Sequence, residues 1–548
     1  MQIVLLCSVL AAIFPSQSAS AAVAVDPTIR VGLFYGTDAL PGANLLNSVG
    51  SGYRLGYFDH ERNFVQLGET AQTAISVVKT QNVYYGKVGS WSGYYDSITS
   101  DILVGCYHLQ LPGGYSDFSA AKAAAASYTG GFAAWIDGSY FVRVGSYSTG
   151  DSARAAQMEL GLADASVVGT SSAGVSVVAT GTSTILFQFD STQGLTLGIL
   201  PGLDNSVQTK TIFRGNTYFG GFQYQRVNGG NLTVSNVLSL EDYVQGVVIK
   251  EMSASWPVEA LKAQAVCART YAYRNLSAGK HSSQGFDICN TVHCQAYAGI
   301  AGMSETSRHA VDETYGMYAW SGGSLAETTY FSSDGGATES AVNVWGSSVS
   351  HLIGKEDPYE AAVANKISNY NWTATYTSQE LTQLLNQKGY TNSGIVDFRV
   401  SKTTPTGNVL EITFTDSSGK SYTKTKESCR TLLGLRSQRY TVSGGGSSDG
   451  FYVSGGGALF SLDGAYAVSG DGSVAQLPSG NTAYAITSSG TQALSASTSA
   501  SGTFTITGSG WGHNVGMSQW GAYAMAQSGY TYDQILKFYY TGIDVRQP

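Results

Sequence analysis

One stretch of this chain, residues 238–279 (LSLEDYVQGVVIKEMSASWPVEALKAQAVCARTYAYRNLSAG), has the period of two consecutive helices. Leu240, Tyr243, Val244, Val247 and Val248 fall on one stripe at 3.6-residue spacing, which demands a partner surface to bury them. Ser239 is placed to cap the first helix. Glu241 and Asp242 stand in its first turn, where the helix dipole favours negative charge, and Asp242 has the capping-box spacing. The second helix is expected to start near Ser255–Pro257, since proline fits a first turn, and to run toward Asn275 before Gly279. Glu251 stands eleven residues beyond Leu240, so at ~100° per residue a continued helix turns its carboxyl to within about 20° of Leu240 and into the apolar stripe. A carboxyl held there loses water, and its pKa rises toward the range a general acid for glycosidic cleavage needs; Lys250 opposes that rise. A helix ending near Lys250 instead leaves Glu251 a solvated terminal residue. Spacing leaves both endings open.

The rest of the chain reads as short strands and turns. Of 548 residues, 67 are Gly and 35 Tyr, and only 12% are charged, a surface better suited to hydrogen bonding and stacking with carbohydrate than to phosphate. Thirty Lys+Arg against 38 Asp+Glu give a net charge of -8, which excludes the basic field a nucleic acid requires. The fold class expected is α+β, with several domains by length. Residues 22–100 read as a β-rich opening segment. Residues 101–190 follow as strand, helix, strand, strand, helix, strand, with Asp151 as the expected N-cap of the second helix. Helix 378–389 and the alternating strands VLEITFTD and SYTKTK come later. Residues 443–503, rich in Gly, Ser and Thr, read as irregular β structure. The apolar run 3–14 is too short for a ~30 Å hydrocarbon core. With Ala19-Ser20-Ala21 behind it, the run reads as a signal peptide over residues 1–21, although no Lys or Arg precedes it. Secretion is therefore expected, and an uncleaved segment would be an anchor. Cys7 follows Leu6 rather than a small residue, so lipidation is not expected.

Two clusters outside the helices could carry chemistry. HSSQGFDICNTVHCQAY offers His281, Cys289, His293 and Cys294, two sulfurs and two nitrogens that suit tetrahedral zinc. A Cys289–Cys294 disulfide is the rival in an oxidising compartment, and unliganded structural residues are the third possibility. Only five cysteines follow the signal segment, too few for a disulfide framework. In GWGHNVGMSQWGA, His513, Gln519 and the tryptophans could line a sugar cleft, or Trp511 and Trp520 could fill core while the glycines turn the backbone.

Several of these motifs also resemble known families. YFVRVGSYS followed by a helix, with a weaker copy in CYHLQLPGG, resembles the SPOR domain over residues 101–190, and implies affinity for glycan strands lacking stem peptides. GVVIKEMSASWPVEALKAQAVCARTYA resembles the SpoIID/LytB family. So do CQAY, YFSSDGGATESAVNVWG and GSGWGHNVGMSQWGAYAMAQSGYTYDQILKFYYTG, so the resemblance extends over residues 206–548. It implies an α+β catalytic region, action as a lytic transglycosylase on peptide-free peptidoglycan, and a catalytic acid at the Glu of the E-M pair, here Glu251. It further implies zinc bound by Cys and His in some members, and cleft roles for Gln295, Tyr297, Ser332, His513 and Gln519, with core or turn roles the open alternative for Gln295, Tyr297 and Ser332. The implied setting is sporulation or wall remodelling, in the cell wall or the intermembrane space of a developing spore. A wall amidase is an implied partner, and the alternative function is a noncatalytic, wall-binding amidase enhancer. Two departures stand out: Ile249 replaces the family's Pro, and Asn514 its Gly. A hydrolase would instead need a second carboxylate, for which Glu241, Asp242, Asp334 and Glu339 are candidates. Arg269 on the second helix reads as a buried structural arginine paired to an acid.

Overall fold

The computed structural model describes residues 23–169, 171–203, 207–368, 370–444 and 502–548, with the backbone of short strands between Phe451 and Leu494. The expected signal peptide, residues 1–21, lies outside them. Among the described residues no helix is long and apolar enough to cross a membrane.

The fold is α+β, built on two large sheets. The seven-stranded sheet runs in the order Ile288–Cys289, Thr28–Phe34, Leu232–Ser239, Gly221–Arg226, Leu197–Pro201, Tyr53–Phe58, Phe64–Thr70. Thr28–Phe34 alternates, with Ile29, Val31 and Leu33 buried, and it pairs antiparallel with residues 234–239 of the strand Leu232–Ser239. Residues 23–100 are β-rich, with seven strands between Thr28 and Tyr95. Five of these strands are divided between the two large sheets, and Val83–Val88 and Trp91–Tyr95 form a three-stranded sheet with Leu103–Val104; the backbone groups along Leu232–Ser239 find their partner in the distant N-terminal strand.

The ten-stranded sheet contains the expected strand, helix, strand, strand, helix, strand unit. Its strands Tyr107–Gln110, Gly131–Ile136, Ser139–Tyr147 and Ser166–Val168 lie antiparallel in the spatial order 4-1-3-2, the split βαβ arrangement. Helices α1 (Phe118–Ala125) and α2 (Gly150–Glu159) pack on it. The second strand also pairs parallel with Ile185–Asp190, fusing the unit into the larger sheet. Asp151 does not cap α2. Thr149 does, accepting the Ser152 N–H while Ser152 reaches back, and Asp151 sits in the first turn paired with Arg154.

Helices α3 (Leu240–Glu251) and α4 (Val258–Ala278) rest against the seven-stranded sheet. Ser239 caps α3 as expected, through the Asp242 N–H at 3.1 Å, while the Asp242 carboxylate turns to Gln208 instead of closing a capping box. The whole predicted stripe, Leu240, Tyr243, Val244, Val247 and Val248, is fully buried. Gly246 lets Tyr297 lie against the helix, for a Cβ there would sit 2.5 Å from the tyrosine ring. α4 ends at Gly279, whose φ of +61° is the left-handed cap. The expected pairing of Arg269 is found. Its guanidinium, fully buried, grips Glu241 of α3 through two bonds of 2.7 and 2.6 Å.

A further lobe combines the sheet Asn371–Thr377, Thr503–Ser509 and Tyr440–Gly444 with the meander Ile395–Thr403, Val409–Asp416 and Ser421–Thr425. Helix Ser378–Gln387 seals it, capped by Thr377 with Glu380. Its core is Trp372, Leu381, Phe398, Phe414 and Ile506. Between 443 and 503 the described backbone forms three two-stranded hairpins; the remainder of that expected β segment lies outside the described residues.

Removing one member of the Arg269–Glu241 pair strands the other charge in the core. Urea unfolding of Arg269→Met or Glu241→Leu is expected to show a loss of about 3–5 kcal/mol, and the double variant a smaller loss than either single. Equal losses in all three would mean that packing, not charge, is what the pair supplies.

Candidate active site

Glu251 is the last residue of α3; the next, Met252, turns to extended backbone at φ -126° and is itself buried. The helix thus persists one residue past the alternative ending, far enough to carry the carboxyl over the buried stripe into a cleft of about 650 Å³. That cleft is lined by Glu251, Tyr271, Cys294, Gln295, Tyr330, Phe331, Ser332, Trp345, Arg430, Trp511, His513 and Gln519, among others. A second pocket of about 320 Å³, around Leu46, Trp91, Tyr95 and Arg214, contains no carboxylate or histidine.

Burial raises the Glu251 carboxyl above its ordinary value of 4.5. The Ala296 N–H at 3.2 Å, the Tyr330 and Gln519 side chains and the Lys250 charge pull the other way without cancelling it. A relay sets the direction of the Tyr330 bond. Tyr243 donates to Gln295 Oε1 at 3.1 Å, and Gln295 Nε2 donates into the Tyr330 hydroxyl oxygen at 3.2 Å. That leaves the Tyr330 proton free to point at Glu251, and burial holds the phenol well above its usual pKa, so the proton stays on it.

Five cleft residues were expected from sequence, and the structure brings four of them to Glu251. Gln295 and Gln519 are nearly buried, Gln519 being the first residue of helix Gln519–Gln527, capped by Ser518. Ser332 lines the wall, its carbonyl held by the Trp520 N–H at 3.0 Å. His513 packs between Phe331 and Trp345, and burial pushes its ring down to about 4, so it is neutral near pH 7. Tyr297 is the correction. It lies in the core, packed on Tyr243 and Gly246 with its hydroxyl on Asn236 at 2.7 Å, because the glycine of α3 makes a slot for its ring. Tyr330, Trp345 and Arg430 were not foreseen. The first two stand inside YFSSDGGATESAVNVWG, where an aromatic beside Ser332 was the available signal; nothing local marked Arg430.

None of the candidate second carboxylates reaches the cleft. Glu241 is taken by Arg269. Asp242 bonds Gln208 at 2.8 Å at the far end of α3. Asp334 is buried beside Asp357 and Glu360, where desolvation and the neighbouring carboxylates push it well up. Glu339 collects the hydroxyls of Thr404 and Thr406 and the Asn408 amide; burial raises it, but these donors outweigh burial and take it below its usual range.

The four expected metal ligands converge. One ligand atom from each of His281, Cys289, His293 and Cys294 lies within 4.8 Å of the others, with sulfur–nitrogen distances of 3.3, 3.6 and 3.7 Å. A tetrahedron with ~2.3 Å zinc–sulfur and ~2.0 Å zinc–nitrogen bonds has edges of about that length. His281 Nδ1 bonds Gln284 Oε1 at 2.9 Å, which turns Nε2 inward. Burial works against the Cys289 thiol, but bonds from Thr291, His293 and Cys294 prevail and bring it down to about 6, a thiolate-favouring environment. The described cysteines are all free thiols, Cys289 and Cys294 included. The donor set fits zinc, and it sits immediately before Ala296, whose N–H meets Glu251.

Both family departures find local accounts. Ile249 continues α3, which therefore needs no proline bend. Asn514 takes φ +64°, a left-handed geometry that Asn tolerates better than most residues, and its amide bonds the Asp334 carbonyl at 3.0 Å.

The profile of the SpoIID (Stage II sporulation protein) family matches residues 228–319, which hold α3, α4 and the metal-ligand cluster. An uncharacterized protein of Brachyspira hyodysenteriae is 33% identical over 349 residues, covering 63% of this chain and 76% of that one. The chain belongs to the SpoIID family. The stage II sporulation protein D of Bacillus subtilis is 28% identical over 330 residues, 58% of this chain and 77% of its own length. The amidase enhancer of the same organism is 32% identical over 313 residues, 55% of this chain but 39% of the enhancer.

Proposed function

We propose that the chain is a secreted lytic transglycosylase that cleaves the bond between N-acetylmuramic acid and N-acetylglucosamine in peptide-free glycan strands, closing a 1,6-anhydro ring on the muramoyl product. One observation carries the reading: among the described residues, Glu251 is the one carboxylate lining the cleft. A hydrolase divides its work between two carboxyl groups, whereas an intramolecular transfer needs one used twice. Protonated Glu251 donates to the glycosidic oxygen as the C1–O bond breaks. The carboxylate, held by Ala296, Tyr330 and Gln519, then takes the proton of the muramoyl C6 hydroxyl, whose oxygen closes on C1. The acid form is restored and no water is consumed. Trp345 and Trp511, 37% and 49% exposed, give aromatic faces on which sugar rings can stack.

His281, Cys289, His293 and Cys294 would hold a structural zinc, which supplies fixed bonds to a wandering loop and takes no part in proton transfer. The chain's own contribution there is to fix Ala296 against Glu251. The split βαβ unit fits the SPOR-like reading, as a second hold on peptide-free glycan. We place the protein outside the membrane, in the wall or the intermembrane space of a developing spore, in sporulation or wall remodelling. A second reading, a noncatalytic enhancer that works beside a wall amidase, is favoured by the relative of that name.

Mass spectrometry of digested peptide-free glycan is expected to yield anhydro-ended fragments, with turnover by Glu251→Gln reduced at least about 10³-fold. Reducing-end products without anhydro sugar would reject transglycosylation, and binding without cleavage by the unaltered protein would favour the enhancer. For the metal, protein purified without a histidine tag is expected to carry one zinc per chain and to melt lower after chelation; folded protein with substoichiometric zinc would remove that claim.

A further inference from the structure

One guanidinium that the proton transfers do not use lines the Glu251 cleft, and a second packs against a tryptophan of its wall. Arg430 lines it directly. Its Nη2 donates to Glu427 Oε1 at 2.8 Å, while Glu427 Oε2 accepts the Trp345 indole N–H at 3.2 Å, so the arginine is oriented from the side of an exposed tryptophan. Arg436 lies 4.8 Å from the Trp511 ring, and its carbonyl takes the Gly512 N–H at 2.8 Å, which ties its backbone to the cleft loop. Among the described residues Arg436 has no ion pair, and its buried Nη1 has no hydrogen-bond partner.

Charge then decides what the cleft can hold. Glu427 balances the Arg430 guanidinium and His513 is neutral, while the Arg436 charge has no ion-pair partner among the described residues and lies against the Trp511 ring. A neutral sugar leaves that charge unanswered. A muramoyl residue without its peptide carries a free lactyl carboxylate on C3, whereas attachment of the peptide converts that group to an uncharged amide. The planar fork of arginine matches a carboxylate, and an amide offers it far less.

We propose that Arg430, backed by Arg436, reads the free lactyl carboxylate of the muramoyl unit seated beside Glu251, so that this pair makes the cleft select peptide-free glycan. The inference rests on the reading of the cleft as a peptidoglycan site, but not on its turning substrate over. The test is equilibrium binding to the full chain carrying Glu251→Gln, with peptide-free glycan oligosaccharides and with the same oligosaccharides converted to lactyl methylamides. The acid is expected to bind about tenfold more tightly than the methylamide, with the advantage shrinking as salt rises. Arg430→Gln should erase the advantage while leaving methylamide binding within about twofold, and Arg430→Lys should keep part of it. Equal binding of acid and methylamide, a loss in Arg430→Gln common to both, or binding of neither would overturn the proposal. The acid–methylamide comparison is made on protein that keeps both arginines, so it stands even if an arginine variant fails to fold. Discrimination without any cleavage by the unaltered protein would support this inference and sink transglycosylation; anhydro products formed equally from both glycans would do the reverse.

Discussion

A carboxyl on the last turn of a buried helix meets two penalties on ionising. It is withdrawn from water, and it faces the negative end of the helix dipole. Glu251 occupies that position, and the architecture around it decides how far each penalty is offset. Three neutral donors, the Ala296 N–H, Tyr330 and Gln519, reach it from three separate parts of the chain, while among the described residues no arginine pairs with it. Neutral donors steady a carboxylate without committing the group to that form, which suits a group that must lose a proton and regain it. The same arrangement has a cost in stability. Because the folded-state pKa stands above the unfolded one, folding is weakened as pH rises from the ordinary carboxylate range through the raised value.

The scaffold keeps that group alone. Other acids around it are engaged by partners of their own: Glu241 by Arg269, Glu339 by hydroxyls, and Glu360 by Ser333, Ser518 and two backbone N–H groups. The Glu360 contacts also join Ser333, next to Ser332, to Ser518, the cap of the helix that begins with Gln519, so a buried acid ties together two segments of the cleft wall. The further lobe reaches the cleft through Arg430, which neighbours the lobe-core residue Cys429, and Trp345 and Trp511 line the same cleft.

What was legible in sequence was local or periodic. The α3 stripe, the Ser239 cap, the Gly279 stop and the inward turn of Glu251 all follow from spacing, and Arg269 from the cost of burying its charge. The convergence of His281, Cys289, His293 and Cys294 was legible because chemically matched ligands lay within fourteen residues of one another. What escaped depended on partners far away in the chain. Thr28–Phe34 finds its place only beside Leu232–Ser239. Tyr297 is claimed by the core because Gly246 makes room for it, and Tyr330 acquires its meaning from Gln295 and Glu251 together. Thr149 outcompeted Asp151 as a cap because Ser152 completes a reciprocal pair, a choice that composition alone does not make.

The central claim is a cleft carboxyl that holds its proton beyond the ordinary range, and infrared difference titration reads it most directly. The carbonyl band of the protonated acid is followed against pH in the unaltered protein minus Glu251→Gln. The account predicts a band that persists clearly above pH 4.5 and disappears in one step as the group ionises. A band lost at or below pH 4.5, as for a solvated glutamate, would contradict it.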